Sequence, residues 1–304
     1  MTNATGSAMP AVFLKDRSLL SVGGADAQSF LQNLITTDII SLASDEARPG
    51  ALLTPQGKIL FDFMIWQDGD GYMIETNAGQ RDGLLKRLTM YRLRAAVTLA
   101  LVAEEGVSVS WGEDEGGIRD AESVRDSQGV RDSRGVRDSR FAKAGIALTR
   151  RPGRHGDGAE ALYDALRIAH GIAISGSDFA LQDAFPHDVL LDLNGGLSFK
   201  KGCYVGQEVV SRMQHRGTAR RRVVTVSAAA ALPGTGTEIT AAGKPVGTLG
   251  SVAGGSGLAI VRIDRAGAAM TEGTPLLAGG TPVALALPQW SGLVFPTSSD
   301  EASA

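Results

Sequence analysis

Whatever chemistry this chain performs rests on one thiol and a few carboxylates and cations. The only cysteine in 304 residues, Cys203, lies in Lys200-Lys201-Gly202-Cys203-Tyr204-Val205-Gly206-Gln207-Glu208. Two preceding lysines put positive charge where it favours thiolate over thiol. The glycines on either side leave φ free and the sulfur sterically open. Such neighbours describe a reactive cysteine. The alternative is a small buried hydrophobe, the commoner state of free cysteine, although Lys, Gln and Glu are poor company for a core residue.

Two carboxylates are further candidates. Asp62 is the one charge within Ile59 to Trp66, a run apolar at nearly every position and so read as a strand covered on both faces. An unpaired buried charge is too costly there, so Asp62 has either a donor partner or a cavity to face. Asp38 closes Thr36-Thr37-Asp38, either as an acceptor within the turn or as a ligand contact. His170, next to Gly171, reads as a cap at a helix end rather than a base. Lys200 to Arg222 holds seven Lys or Arg against one acid, Glu208. This is either a solvated basic face or an anion site, and Arg212 to Arg222 is the stretch that RNA phosphates would contact. The absence of aromatics between Arg212 and Arg222 counts against single-stranded nucleic acid. His155, His170, His187 and His215 are too scattered for a local zinc site, so no metal ligands are assigned.

The bounds are consistent with a globular protein. A chain of 304 residues exceeds one ordinary core and implies two or three parts. A net charge of -3 makes no global case for nucleic acid or a membrane. One cysteine excludes an internal disulfide and cannot alone supply the usual ligands of an iron-sulfur cluster. No apolar stretch reaches the length of a signal core or a membrane span, which predicts a soluble cytoplasmic protein.

The elements that position these residues follow from pattern. Residues 1–10 read as a tail and Phe13 to Val22 as a hairpin or strand pair. A short helix follows Asp26, with Phe30, Leu31, Leu34 and Ile35 on one face. Thr54-Pro55-Gln56-Gly57 is a turn by its chemistry. Strands follow at Ile59 to Trp66 and Tyr72 to Glu75, then a helix from Gln80 to Tyr91, then strands at Val97 to Ala103 and Val107 to Trp111. Residues 118–141 repeat with a period of six around Val-Arg-Asp-Ser. One apolar residue per copy cannot build a core, which predicts a solvated loop. After a strand ending at Leu148, Arg150 to Arg154 reads as a basic turn, and Ala159 to Ala169 as a helix burying Leu162, Leu166 and Ala169. Short β segments spaced by Gly and Pro from Val223 to Leu287 predict a small barrel or sandwich, and the end from Ser291 a loose tail.

Lys-Gly-Cys-Tyr-x-Gly-Gln-Glu, with its lead-in Leu191 to Phe199, resembles the signature of the YgfZ family of folate-binding proteins. Mitochondrial relatives of that family assist iron-sulfur cluster assembly, and its superfamily includes the aminomethyltransferase of glycine cleavage. Asp138-Ser139-Arg140 resembles the family's Asp-Pro-Arg element, and Asp164 to Gly171 its cavity-lining helix, which contains Arg167.

The resemblance implies an α+β protein in an aminomethyltransferase-like, three-domain arrangement around a central cavity, with a C-terminal β-barrel. Its parts would be residues 1–50 with 145–215, then 51–144 as a ferredoxin-like unit carrying the repeat, then 216–290, with 291–304 as tail. It implies tetrahydrofolate as cofactor and an accessory role toward iron-sulfur client or assembly proteins. Cys203 would react, with Lys201 lowering its pKa. Asp38, Asp62, Arg167, Tyr204, Gln207 and Glu208 would contact the ligand, Tyr204 from the cavity wall and beneath a basic mouth. Where the transferase branch has paired Asp residues, this chain has Phe61-Asp62. Where that branch has a pterin-clamping Glu, it has Ala169. A folate-dependent aminomethyltransferase or demethylase is therefore the alternative reading, and an RNA-binding module in tRNA modification a third.

Overall fold

The computed structural model describes residues 10–112, 135–217 and 219–297. Nine strands form one sheet: β1 (Ala11–Leu14), β2 (Arg17–Gly23), β3 (Glu46–Leu53), β4 (Ile59–Asp68), β5 (Gly71–Asn77), β6 (Thr98–Leu101), β7 (Val107–Gly112), β8 (Val136–Asp138) and β9 (Ala147–Pro152). Their order is β1-β7-β9-β8-β3-β4-β5-β2-β6, with strands from both sides of residues 51 and 145. Only the β3–β8 pair is parallel among the described strands.

β4 shows why its sequence is apolar throughout. Phe63 and Ile65 point into a core beneath α1 (Ala27–Gln32) and α2 (Arg81–Arg92), which also contains Leu31, Leu84 and Leu88. Met64 and Trp66, on the opposite face, pack against Val107 and Val136. Both faces are covered, as the strand's composition requires. The predicted pairing within Phe13 to Val22 does not occur. β1 pairs with β7 and β2 with β5 and β6, because the buried side chains on the two strands belong to different cores.

The repeat's first copies lie outside the described residues. Its last copy is not a solvated loop. It forms β8 and α3 (Ser139–Lys143), with Val136 6% and Phe141 0% exposed. This copy buries two apolar residues, and β3 and β9 supply the rest of the core.

α4 (Glu160–Ala169) buries Tyr163, Arg167 and Ile168 rather than the expected Leu162 and Ala169; Leu162 is 50% exposed. The helix is rotated so that the Arg167 guanidinium reaches buried acceptors. The rest of the chain contains α5 (Gln207–His215) and α6 (Ile263–Thr271). A second, antiparallel sheet of seven strands is formed by β10 (Arg221–Ser227), β11 (Glu238–Ala241), β12 (Lys244–Ala253), β13 (Ser256–Arg262), β14 (Leu276–Ala278), β15 (Thr281–Pro282) and β16 (Ala284–Ala286). Alternate residues such as Val224 and Val226, Ala259 and Val261 share one core with Ile263 and Ala266 of α6, giving a nearly closed barrel.

The start of the supposed tail is docked. The Trp290 indole donates to the His170 carbonyl at 2.8 Å, Ser291 is 9% exposed, and a Cβ on Gly267 would stand 2.0 Å from the Pro296 carbonyl oxygen. Residues 298–304 and 1–9 lie outside the description. No described helix is long and apolar enough to cross a membrane.

Candidate functional site

The predicted residues fall into two places. The first is a cavity of about 240 Å³ between β3, β4, α4 and the segment after it, lined by Asp62, Arg140, Arg150, Tyr163, Arg167 and Asn194 among others. Asp62 has both partner and cavity. Its Oδ1 accepts from Ser175 Oγ at 2.5 Å and Gln80 Nε2 at 2.9 Å, while the residue lines the wall.

Arg167 lines the cavity with its donors engaged. Nε meets Asp164 at 2.7 Å, Nη1 meets Asp178 at 2.8 Å and Nη2 meets Ser251 Oγ at 2.6 Å. Asp178 also accepts from the amides of Ile174 and Ser251, so this cluster ties α4 to the barrel strand β12. The guanidinium acts as a staple.

The expected basic mouth is not formed by free cations among the described residues. The exposed or partly exposed titratable residues of the lining include the acids Asp16, Asp62, Glu160 and Asp164, and the partly exposed Arg17 and Arg140 are paired with Glu75 and Asp138; burial together with Asp164 and Asp16 pushes the Glu160 carboxyl up. The basic run expected there lies elsewhere and is largely paired. Arg222 meets Asp192 at 2.8 Å and the His187 carbonyl at 2.7 Å, and Arg212 meets Glu208 at 2.6 Å. Arg221 lies 3.5 Å from Asp183 and 3.8 Å from Asp188. Cations already matched to carboxylates do not make an array for RNA phosphates, so the RNA reading is not supported.

The second place is the Cys203 loop. Cys203 and Gly202 are exposed, whereas Lys201 and Tyr204 on either side are 8% and 6% exposed. Lys201 Nζ donates to the carbonyls of Ile35 at 2.7 Å and Thr37 at 2.8 Å and stands 5.3 Å from the Tyr204 ring centroid. Its ammonium is therefore turned to the backbone. Burial pushes Lys201 down to about 8, against the pull of Asp38.

Tyr204 is not on the cavity wall. It packs with Leu53, Ile59 and Leu191 in the core behind that wall, its hydroxyl 3.3 Å from the Ser198 carbonyl, and burial pushes its phenol up. Gly206 takes φ +80°, and a Cβ there would lie 2.5 Å from the Thr54 carbonyl oxygen. Only glycine lets α5 start against the Thr54–Gly57 turn. Gln207 and Glu208 open that helix, and Glu208 faces solvent with Arg212. Asp38 lies on the turn that Lys201 grips. Burial pushes its carboxyl up, but donors from Gln32, Ser41 and Ile40, with Lys201 nearby, hold it below the usual range.

Sequence reasoning missed a buried charge chain along the cavity. Arg17 Nε and Arg150 Nη2 both meet Glu75 Oε1, at 2.7 and 2.5 Å. Arg150 Nη1 meets Asp138 at 2.9 Å, and Arg140 chelates Asp138 at 3.0 and 2.7 Å. Arg150, assigned to a turn, is 1% exposed inside β9. The signal was the period of two, since Leu148 and Arg150 must face the same way.

Comparisons with known proteins fit this architecture. Residues 220–293 match the family described as CAF17, C-terminal beta-barrel domain. The chain is 30% identical over 218 residues to the mitochondrial iron-sulfur cluster assembly factor IBA57 homolog of Pyricularia oryzae, across 69% of this chain and 55% of that protein. The homolog of Coccidioides immitis is 31% identical over 240 residues, 71% of this chain and 56% of the relative. That of Neosartorya fischeri is 29% identical over 320 residues, 83% and 69%. The chain thus spans little more than half the length of several of these relatives.

Among solved structures, glycine cleavage system aminomethyltransferase T from Bartonella henselae superposes with a TM-score of 0.66 at 16% identity, covering 92% of this chain and 86% of that one. The fold is aminomethyltransferase-like. The narrower likeness to YgfZ rests on the Cys203 signature. The cytoplasmic location expected from sequence is overturned, since the relatives are named as mitochondrial. Neither a single thiol nor a lack of apolar spans distinguishes those two compartments.

Proposed function

We propose that this chain is an accessory factor for the assembly of iron-sulfur proteins, in which Cys203 meets the cluster or its client. The carrying observation is the exposure of the sole thiol between two buried, anchored neighbours, Lys201 and Tyr204. A sulfur held outward on a pinned loop is placed for a partner rather than for packing. The names of the relatives support the same role. One thiol per chain means that a cluster bound here as cargo draws its other ligands from a partner or a second copy. Replacing the gene by Cys203→Ser in cells tests this: the activity of iron-sulfur enzymes falls while the protein's level and unfolding midpoint hold. Unchanged enzyme activity removes the thiol role.

The cavity's proposed ligand is a tetrahydrofolate, a carrier of one-carbon units. Asp62 presents a carboxylate suited to the N–H donors of a pterin, and Asn194 a buried amide suited to its carbonyl. The volume, about 240 Å³, is below the roughly 300–1,000 Å³ of pockets that enclose drug-sized ligands, so it suits the bicyclic head alone. Calorimetric titration with tetrahydrofolate, repeated on Asp62→Asn, tests that reading through a loss of affinity.

The transferase reading keeps Asp62 but lacks its neighbour. Phe61 is half-buried against α2, where a Cβ on Gly83 would stand 3.1 Å from its ring, and Ala169 is exposed outside the cavity lining. Catalytic release of the one-carbon unit from methylene-tetrahydrofolate would promote it.

A further inference from the structure

Cavity and thiol loop share one turn. Asn194 is 5% exposed and lines the cavity. Its Oδ1 accepts from the Gly196 amide at 3.1 Å, and its amide nitrogen has no protein partner among the described residues. A side-chain amide in a cavity wall with its nitrogen unclaimed by the protein is a place for a ligand's acceptor.

The Gly196 carbonyl in turn accepts from Thr36 Oγ1 at 2.6 Å, with Thr37 Oγ1 3.5 Å away. Thr37 Oγ1 donates chiefly to the Pro49 carbonyl at 2.7 Å, and Pro49 and Gly50 are themselves cavity wall. There is no slack at this wall. A Cβ on Gly50 would lie 2.3 Å from Thr37 Oγ1, and one on Gly196 would lie 2.5 Å from Leu191 Cδ2 and 3.2 Å from Pro49 Cγ. Both threonines are fully buried. The far side of the turn holds the thiol loop, through the Thr36 carbonyl to the Ser198 amide at 2.9 Å and the Thr37 carbonyl to Lys201 Nζ.

We infer that a ligand accepting from Asn194 in the cavity sets the position, and so the reactivity, of Cys203 through the Thr36–Thr37 turn. A close-packed wall transmits displacement, and the route is a contiguous set of hydrogen bonds from ligand site to loop. Asn194 is thus a ligand-contacting residue, and Thr37 a positioning residue for the thiol. The inference rests on the folate reading of the cavity.

The test is the rate of Cys203 alkylation by iodoacetamide, a neutral reagent, on the full chain with and without 5-formyltetrahydrofolate, binding being followed separately by calorimetry. Saturating ligand changes the rate about 5-fold or more, half of the change falling at the measured Kd. Thr37→Val binds the ligand yet loses the rate change, Thr37→Ser retains it, and Asn194→Leu binds about 10-fold more weakly. Absence of binding overturns the folate reading and this inference together. Binding with an unchanged alkylation rate overturns the coupling and leaves the folate reading standing. A Thr37→Val protein with the full rate change, or a Thr37→Ser protein without it, overturns the route.

Discussion

The ammonium of Lys201 donates to the carbonyl of Thr37 at 2.8 Å, which makes this residue the anchor of the thiol loop rather than a charge beside the sulfur. Lys201→Met leaves that carbonyl and the one of Ile35 without their donor, at a cost of about 1–3 kcal/mol. The deficit depends on pH. Burial lowers the folded pKa of Lys201 from 10.5 to about 8, so in that window the unfolded chain binds a proton that the folded chain has released. The residue's contribution to stability therefore rises from pH 8 to 10.5. Denaturant unfolding of both proteins at pH 7 and pH 10 should show the variant's deficit widening; a constant deficit contradicts the burial of the amine, and no deficit at either pH contradicts the anchoring role.

Glu75 is the hub of the charge chain at the cavity, 0% exposed between Arg150 and Arg17. Burial pushes its carboxyl up, but the two guanidiniums outweigh it and hold it at about 2 against an ordinary 4.5. A depressed carboxyl contributes stability above pH 4.5 that disappears as pH falls toward 2. Glu75→Gln should cost about 3–5 kcal/mol at pH 7, because Arg150 keeps a buried charge matched only by Asp138. Its stability should also lack the wild-type decline across that acid window. Adding Arg150→Met should restore part of the loss, and a strictly additive double variant would falsify the pairing.

The legible parts were those fixed by local pattern. The run Ile59 to Trp66 announced a strand covered on both faces, and the spaced Gly and Pro after Val223 announced a barrel. The thiol's exposure was readable from its polar neighbours. The direction in which Lys201 points was not, because adjacency in sequence says nothing about which backbone carbonyls a long side chain will find. Tyr204 was misplaced for a related reason. A residue next to an exposed one is turned inward by the chain, and here inward is the core behind the cavity wall instead of the cavity itself. Arg150 hid in a basic cluster that resembles a turn, although the period of two running on from Leu148 places it inward between β7 and β8.

Asp188 is strained electrostatically where the Pro186–Val189 turn meets the barrel strand β10. It is 2% exposed and accepts the Phe185 amide at 3.1 Å, with Arg221 3.8 Å away. Burial, helped by Asp183, raises its carboxyl to about 6 despite the Phe185 amide and the arginines. A raised carboxyl holds its proton longer in the folded chain, so stability falls as pH rises from about 4 to 6. Asp188→Asn keeps an acceptor for Phe185 and removes the charge. It should abolish that decline and exceed wild type above pH 6 by about 1–3 kcal/mol, read from urea midpoints at pH 4 and 7. A variant less stable than wild type at pH 7 would show that Arg221 outweighs the burial.

Ser139 offers a stabilising change. It is the first residue of α3, after Asp138, whose side chain accepts from the Arg140 amide and not from that of Ser139. Its hydroxyl is buried without a hydrogen-bond partner among the described residues. Its backbone N–H continues the parallel ladder of β8 onto Ala47 of β3, so a replacement must keep that donor. Ser139→Ala removes the unsatisfied hydroxyl, keeps the N–H and adds a better helix former. It should raise stability by about 1 kcal/mol, seen as a higher thermal midpoint. A lower midpoint would mean that the hydroxyl is satisfied in solution and that its loss outweighs the relief of burial.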